Sequence, residues 1–181
     1  EKVTPRMVRD GVPVANGIFS SHGIMVEVLA NGQFGYYGTS DLSPSGIARA
    51  SEKAYQQAKL AAKYSLVQFT DVARPAFKGT YQSPFKKNGQ TLSASELNEI
   101  LLKSNQALKV SDKIVSASSI IQVLETQFNF VSSNGSDITQ DFLMIEADLS
   151  ATAVDGANQQ TRTFGGMRGN CKQIGMEYFD S

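Results

Sequence analysis

The segment ITQDFLMIEADLSATAV, at residues 138–154, constrains the fold more than any other part of the chain. Its apolar and polar residues alternate, with Leu143, Ile145, Ala147, Leu149, Ala151 and Ala153 on one side and Glu146, Asp148, Ser150 and Thr152 on the other. A period of two is typical of a strand with one buried face and one face in water. The segment therefore predicts an antiparallel sheet that is covered on one side, with Leu149 in the core.

Hairpin signals surround this strand and recur near the start of the chain. The pairs Asn31-Gly32 and Asn134-Gly135 favour turns in which both central residues have positive φ. The first pair joins predicted strands at residues 24–29 and 33–39, and the second joins a strand at residues 126–132 to the long strand. The pair at residues 155–156 turns the chain into a strand at residues 157–164.

Strands at residues 115–123 and 12–19 are also predicted. The segment at residues 115–123 places Val115, Ala117, Ile121 and Val123 on one face. In the strand at residues 126–132 we expect Phe128 to lie in the core. Residues 12–19 are expected to add a third strand to the first hairpin, at an edge because they contain a proline.

Two helices are predicted from capping signals and spacing. Ser43 is a suitable N-cap, Pro44 is a natural first helical residue, and small residues then recur at helical spacing to about residue 65. Ser93 and Glu96 form a capping box before a second amphipathic helix. The predicted fold class is α+β, with two helix-plus-antiparallel-sheet halves joined by an extended linker. The halves are a strand–hairpin–helix subdomain at residues 1–65 and a helix followed by an antiparallel β-meander at residues 93–181, with the linker at residues 66–92, where one short strand is allowed.

Composition narrows the classes of function. Lys+Arg and Asp+Glu both number 17, so the chain lacks the basic excess of a nucleic-acid-binding protein. No apolar run approaches the ~20 residues of a membrane span. The single cysteine excludes an internal disulfide and fits a reducing compartment, so a cytoplasmic protein is expected.

The glycine-rich stretch NGQFGYYGTSDLSPSG, at residues 31–46, is not a nucleotide loop. A phosphate loop needs a Lys-Ser or Lys-Thr after its last glycine, and the dinucleotide spacing G-x-G-x-x-G is also absent. We interpret Gly32 as part of a turn and Gly35 as a point of close approach. Asp41 and Ser43 are interpreted as capping residues at a helix start.

Candidate catalytic groups are sparse. A catalytic zinc usually takes three protein ligands, and the chain has one histidine, His22, and one cysteine, Cys171. Glu146 and Asp148 share a strand face and could form a carboxylate pair, but a solvated face is the favoured interpretation. We therefore assign no catalytic and no metal-binding residue in this segment.

The segment FGGMRGN, at residues 164–170, is the favoured candidate for function. Phe164, Gly165, Gly166 and Arg168 follow a predicted strand at a sheet edge and are predicted to contact substrate or a partner subunit. An extended peptide can add to such an edge through main-chain hydrogen bonds.

Three stretches carry a resemblance to one family. The first is SSHGIMVEVLANGQFGYYGTSDLSPSGIARASEKAYQQAKLAA. It follows the family's order of a glycine before a strand, a glycine turn, an aromatic return strand, a helix start and an Ala-rich helix, at Gly23, Gly32, Gly35, Asp41, Leu42, Ser43 and Ala54. The others are FVSSNGSDITQDFLMIEADLSATAVDG and TFGGMRGNCKQIGMEYFD. In this order they resemble the N-terminal region of the TldD/PmbA family of zinc metallopeptidases, also described as modulators of DNA gyrase.

The resemblance implies a role without catalysis for this segment. Family members carry a His-Glu-x-x-x-His zinc motif in a C-terminal domain, which would supply both the zinc and the hydrolysis of peptides. The segment would shape the substrate chamber and contact a homo- or heterodimer partner. The resemblance also implies a chain that is a piece of a larger protein. The alternative is a stand-alone module that binds extended peptides at a sheet edge.

Overall fold

The structure is a computed structural model that describes residues 1–70, 74–89, 91–166 and 169–180. The described strands are β1 Lys2–Arg9, β2 Val12–Asn16, β3 Phe19–Ser20, β4 Ile24–Ala30, β5 Gln33–Thr39, β6 Lys78–Gln82, β7 Ile114–Val131, β8 Asp137–Asp155 and β9 Asn158–Phe164. The described helices are α1 Pro44–Ala62, α2 Ala94–Ala107 and a 3-10 helix at Met176–Asp180. The predicted α+β class is confirmed.

The chain divides into two compact units. The large-sheet unit comprises residues 1–20, 79–130 and 138–181, and the hairpin unit comprises residues 21–78 and 131–137. Among the described residues, the larger sheet has the order β2-β1-β7-β8-β6, with β3 paired to β1 and β9 paired to β8. The smaller sheet is the β4–β5 hairpin.

Helix α2 covers one face of the larger sheet. It begins at the predicted capping box, in which Ser93 Oγ accepts from the Glu96 amide and the Glu96 carboxylate accepts from the Ser93 amide. Its buried Leu97 and Leu101 belong to the same core cluster as Ile121 and Ile145. On β8, Leu143 and Ile145 are buried on the covered face as predicted, but Glu146 on the other face is buried too and residues 147–154 are half-buried.

Strand β7 differs from the prediction in length and in which aromatic residue it buries. It is one strand of 18 residues, not two, because β1 pairs along residues 118–125. The prediction that Phe128 lies in the core is wrong, since this side chain is 50% exposed. Buried β7 residues have odd numbers, so Phe128 points away from α2. Leu149 lies on the covered side but is only half-buried.

The N-terminal strands also differ from the prediction. Strand β1, which the sequence pattern did not identify, lies between β2 and β7. Residues 12–19, predicted to join the first hairpin, instead supply β2 and part of β3, which pair with β1. Pro13 does lie on the outermost strand of that side among the described residues, as expected.

The hairpin unit is held by small residues. The register of β4 and β5 runs from Ile24↔Thr39 to Ala30↔Gln33, and the turn residues Asn31 and Gly32 have φ of 52° and 73°. The buried residues of α1 are Gly46, Ala50, Ala54 and Ala58. Within the described part of the predicted linker, residues 66–92, one strand forms, β6, which joins the sheet at β8.

Candidate functional site

Strand β9 is a polar strand with a free edge. It pairs antiparallel with β8 from Leu149↔Phe164 to Asp155↔Asn158, and all seven of its residues are exposed. No partner strand lies on its other side among the residues that the structure describes. Its outward main-chain groups are therefore available for pairing with another extended segment.

The side chains of β9 supply hydrogen bonds and one positive charge. Thr161 Oγ1 lies 2.9 Å from Thr152 Oγ1 on β8. The Arg162 guanidinium donates to Gln160 Oε1 at 3.1 Å and to the Thr161 carbonyl oxygen at 2.9 Å. Both acceptors are neutral, so the charge of Arg162 is not compensated by them.

A glycine turn follows β9 directly. Gly165 and Gly166 have φ of 89° and 67°, a region that favours glycine. A Cβ atom at Gly169 would lie 1.7 Å from the Gly165 carbonyl oxygen, and the Asn170 side-chain amide donates to the Phe164 carbonyl at 3.1 Å. The turn is therefore closed by the backbone and intolerant of side chains at these positions.

The structure places three of the four predicted site residues together. Phe164 is 61% exposed at the end of β9, and Gly165 and Gly166 continue into the turn. Arg168 lies outside the described residues, so its part in a site stays a prediction.

The chain after the turn is anchored to the core. Lys172 and Ile145 exchange two main-chain hydrogen bonds of 2.9 Å. A Cβ atom at Gly175 would lie 1.9 Å from the Lys87 carbonyl oxygen, and Met176 is 1% exposed. The glycine turn thus has β9 on one side and a packed C-terminal segment on the other.

Glu177 ties this segment to the loop that contains Lys86 and Lys87. Its carboxylate accepts from the Lys86 and Lys87 amides, each at 2.8 Å, and from the Gly175 amide at 3.3 Å. Burial alone would raise the pKa of Glu177, but these amides stabilise the charged form and lower the pKa to about 2. Gly175, two residues before Glu177, is the only local feature of the sequence that points to this carboxylate, because the other two amides come from a segment about 90 residues away.

The predicted turn and cap residues lie in the hairpin unit, apart in the sequence from the β9 edge. A Cβ atom at Gly35 would lie 2.0 Å from the Ala54 carbonyl oxygen, and one at Gly23 would lie 3.0 Å from the Thr39 carbonyl oxygen. Ser43 Oγ accepts from the Gly46 amide at 3.1 Å, which makes Ser43 the N-cap of α1.

Asp41 is held at the start of α1 by its neighbours. Its Oδ1 accepts from the Ser43 hydroxyl at 2.6 Å and from the Ser43 amide at 3.1 Å, and Arg49 pairs with its Oδ2. The hydroxyl and the amide of Ser43, followed by the charge of Arg49, hold the pKa of Asp41 below its usual value. These contacts account for Asp41 as part of the helix start.

The remaining candidates have different surroundings. His22 and Cys171 are both exposed. Glu146 is only 9% exposed, so the expectation of a solvated face is wrong for this residue, and Asp148 is half-buried with Oδ1 accepting from the Leu149 amide.

Within the described ranges, no group of three His, Cys, Asp or Glu residues could hold a metal ion. No described helix is long and apolar enough to span a membrane.

Comparisons with known proteins match most of the chain to two consecutive domains. The family model described as PmbA/TldA metallopeptidase domain 1 matches residues 7–58, and that of the PmbA/TldA metallopeptidase central domain matches residues 87–181. No curated protein matches at a significant level.

Three solved structures share the fold at low sequence identity. A proposed modulator of DNA gyrase from Bacteroides thetaiotaomicron is 16% identical with a TM-score of 0.69, over 90% of this chain and 38% of that one. TldE from Thermococcus kodakarensis is 15% identical with a TM-score of 0.64, over 95% and 38%. A proposed modulator of a DNA gyrase from Thermotoga maritima is 14% identical with a TM-score of 0.61, over 90% and 36%. The chain therefore spans less than two-fifths of each of these relatives.

Proposed function

Because the chain belongs to the PmbA/TldD metallopeptidase family, we propose that it forms the N-terminal, non-catalytic part of a TldD/PmbA-like metallopeptidase. The observation that carries the proposal is the order of the two matches, the first domain and then the central domain. On this proposal a C-terminal domain holds zinc and hydrolyses the peptide bond. The segment described here shapes the substrate chamber and contributes to a dimer interface in a cytoplasmic enzyme.

The β9 edge supports a role in holding peptide. An extended peptide could pair with the exposed outer edge of β9 through main-chain hydrogen bonds, with little dependence on its sequence. The glycine turn after Phe164 would lie at the end of such a peptide. Because the chain on both sides of the turn is fixed to the sheet, the edge is presented on a rigid support.

The opposite end of the large sheet supports a role in subunit contact. Strands β2 and β3 and the link between them expose Val12, Val14, Ile18 and Phe19 by 53–65%. Clustered apolar residues at a surface are typical of a site of protein association. We propose that they contribute to the contact with a second subunit or with the C-terminal domain.

The stand-alone peptide-binding module is the second candidate, because the same free edge of β9 would serve it. The two candidates make different predictions for the exposed apolar residues of strands β2 and β3. A segment of a larger enzyme, purified alone, should bind a hydrophobic dye or self-associate, whereas an independent module should be monodisperse and bind little dye.

The proposal is tested first by the coding sequence beyond residue 181. A His-Glu-x-x-x-His motif in the following domain would support the peptidase, a similar domain without it would indicate the non-catalytic partner type, and a stop codon would favour the stand-alone module. Purified residues 1–181 should not hydrolyse an unstructured peptide, with or without zinc. One tight zinc site on this chain, together with hydrolysis, would contradict the non-catalytic assignment.

The glycine turn has its own test in the full-length protein. Arg168→Ala should lower the affinity for peptide while the zinc content stays unchanged. Arg9→Ala, which removes an exposed arginine of β1, is the matched control and should leave the affinity unaltered. Equal affinities of the two variants for peptide would remove Arg168 from the site.

A further inference from the structure

A groove opens in the large-sheet unit where α2 ends before the sheet does. It has a volume of about 390 Å³, within the range of about 300–1,000 Å³ that small-molecule sites occupy. Its walls include Leu108 and Val110 from the segment just after α2, Ala151 and Ala153 from β8, and Gln160 and Arg162 from β9.

The floor of the groove is a continuation of the protein core. Ala151 and Ala153 have the same strand parity as the buried Leu143 and Ile145, so they lie on the face that α2 covers further along β8. Beyond Ala107 the helix no longer covers this face, and both alanines are half-buried. The floor therefore offers an apolar surface with small side chains and free space above it.

The rim of the groove is positive. Arg162 lies opposite Ala151 and Gln160 lies opposite Ala153 in the strand register. In the described part of the chain Arg162 forms no ion pair, and its guanidinium bonds only to the neutral Gln160 side chain and the Thr161 carbonyl. The nearby Asp155 is already paired with Lys113 at 2.5 Å. An anionic ligand would thus meet one uncompensated guanidinium beside an apolar floor.

We propose that this groove binds the C-terminal residue of a peptide. A small or medium apolar side chain would contact the two alanines and Leu108, and the terminal carboxylate would accept hydrogen bonds from Arg162. A guanidinium suits this role because its planar donors match the two oxygens of a carboxylate. The inference rests on the proposed function only in taking peptides as the ligand, since hydrolysis of a peptide bond creates a new terminal carboxylate.

The test compares two probes that differ only in the C-terminal group, a carboxylate in one and a neutral amide in the other. Uniformly ¹⁵N-labelled residues 1–181 are titrated with N-acetyl-Ala-Leu as the free acid and as its C-terminal amide, and backbone amide shifts are followed. The acid should bind about two- to fivefold more tightly than the amide, with the largest shifts in residues 107–110, 151–153 and 160–162. Equal affinities, or shifts confined to other residues, would overturn the proposal.

Variants of Arg162 separate the contribution of its charge to binding from the contribution of the apolar floor. Arg162→Gln should abolish the preference for the acid while leaving the weak binding of the amide, and Arg162→Lys should restore part of the preference. Arg9→Gln is the control for a general loss of positive charge and should change nothing. A preference for the acid that survives Arg162→Gln would exclude Arg162 as the carboxylate partner.

This test is independent of the peptide edge on β9 and of any catalytic domain. A long peptide with a blocked C-terminus can still pair with the β9 edge if the groove proposal fails. Conversely, a stop codon after residue 181 would remove the peptidase assignment without altering the expected preference for the free acid.

Discussion

Helix α1 of the hairpin unit meets its sheet through residues with little or no side chain, whereas helix α2 of the large-sheet unit uses leucines and a buried asparagine. On α1 the contact residues are Ala50, Ala54 and Ala58, and a Cβ atom at Gly35 of the sheet would lie 2.0 Å from the Ala54 carbonyl. On α2 they are Leu97, Leu101 and Asn105. The contact of α1 requires small residues that let the backbones approach closely, whereas the contact of α2 is filled by larger side chains.

Asn105 shows what a polar group contributes to the second contact. It is 1% exposed, its Oδ1 accepts from the Gly11 amide at 2.9 Å, and its Nδ2 donates to the Ala117 carbonyl at 2.9 Å. It therefore links the turn after β1, the start of β7 and helix α2. The side-chain hydrogen bonds between α1 and β5 are exposed instead: Lys53 donates to Tyr37 Oη at 3.0 Å and the Tyr36 amide donates to Gln57 Oε1 at 3.3 Å. The buried part of that contact is made by alanines and glycine, so its geometry depends on close backbone approach.

The largest expected effect is the loss of a leucine from α2. Leu101 is 2% exposed, and Leu101→Ala should lower the free energy of unfolding by about 2–5 kcal/mol, because it leaves a cavity in the core. Urea denaturation measures this loss. Leu60→Ala on α1, where the leucine is 58% exposed, is the control and should change stability by less than about 0.5 kcal/mol. Similar losses for both variants would contradict the packing of α2.

The next effect is the addition of one methyl group under α1. Gly35→Ala places a Cβ atom against the Ala54 carbonyl and the Ala58 amide, so the helix must move, at a cost of about 1–3 kcal/mol. Amide hydrogen exchange should show the loss of protection in residues 24–62. Gly38→Ala is the matched control, since a Cβ atom there meets nothing within 4 Å. Unchanged protection in Gly35→Ala would mean that α1 does not approach β5 this closely.

A substitution of buried Arg6, beneath α2, should have a smaller effect, and it should raise the free energy of unfolding instead of lowering it. Arg6 is 6% exposed, and its Nε has no hydrogen-bond partner among the described residues. Arg6→Met removes a buried guanidinium whose Nε is unpaired and should raise the free energy of unfolding of residues 1–181 by about 1 kcal/mol. Thermal denaturation can resolve the change, with Arg9→Met on the same strand as the exposed control. A clear loss of stability would contradict a net cost of burying the Arg6 guanidinium.

The smallest effect concerns one carboxylate in each unit and appears only in acid. The pKa of Glu177 is lowered from 4.5 to about 2, so the stability it contributes is complete above about pH 4.5 and is lost as the pH falls through about 2. Asp41 has a lowered pKa as well and should act in the same direction in the hairpin unit. Glu177→Gln and Asp41→Asn should each flatten the decline of stability with falling pH.

Thermal denaturation between pH 2 and pH 6 measures that decline. Glu99→Gln, which changes an exposed glutamate on α2, is the control and should follow the wild-type curve. A Glu177→Gln curve that coincides with the wild-type curve would show that the three backbone amides do not stabilise the carboxylate.

Much of the local structure was predictable because its signals are local. The capping box at Ser93, the turn at Asn31-Gly32 and the alternation of β8 each depend on residues that are neighbours in the sequence. For the candidate site, the sequence pattern located Phe164 and the two glycines after β9. Arg162 and Glu177 were missed, because the groove around one and the amides around the other come from distant segments.

The amino-acid sequence by itself determined the two helices and their caps, the hairpin turns, strands β4, β5, β8 and β9, and the family to which the chain belongs, because spacing and turn residues act over a few positions. The tertiary structure alone decided that β1 lies between β2 and β7, that Phe128 faces away from the core and that α2 stops short of the sheet to leave a groove. Strand order and burial depend on which segments meet in space. A period of two identifies the two faces of a strand but not which face another element will cover.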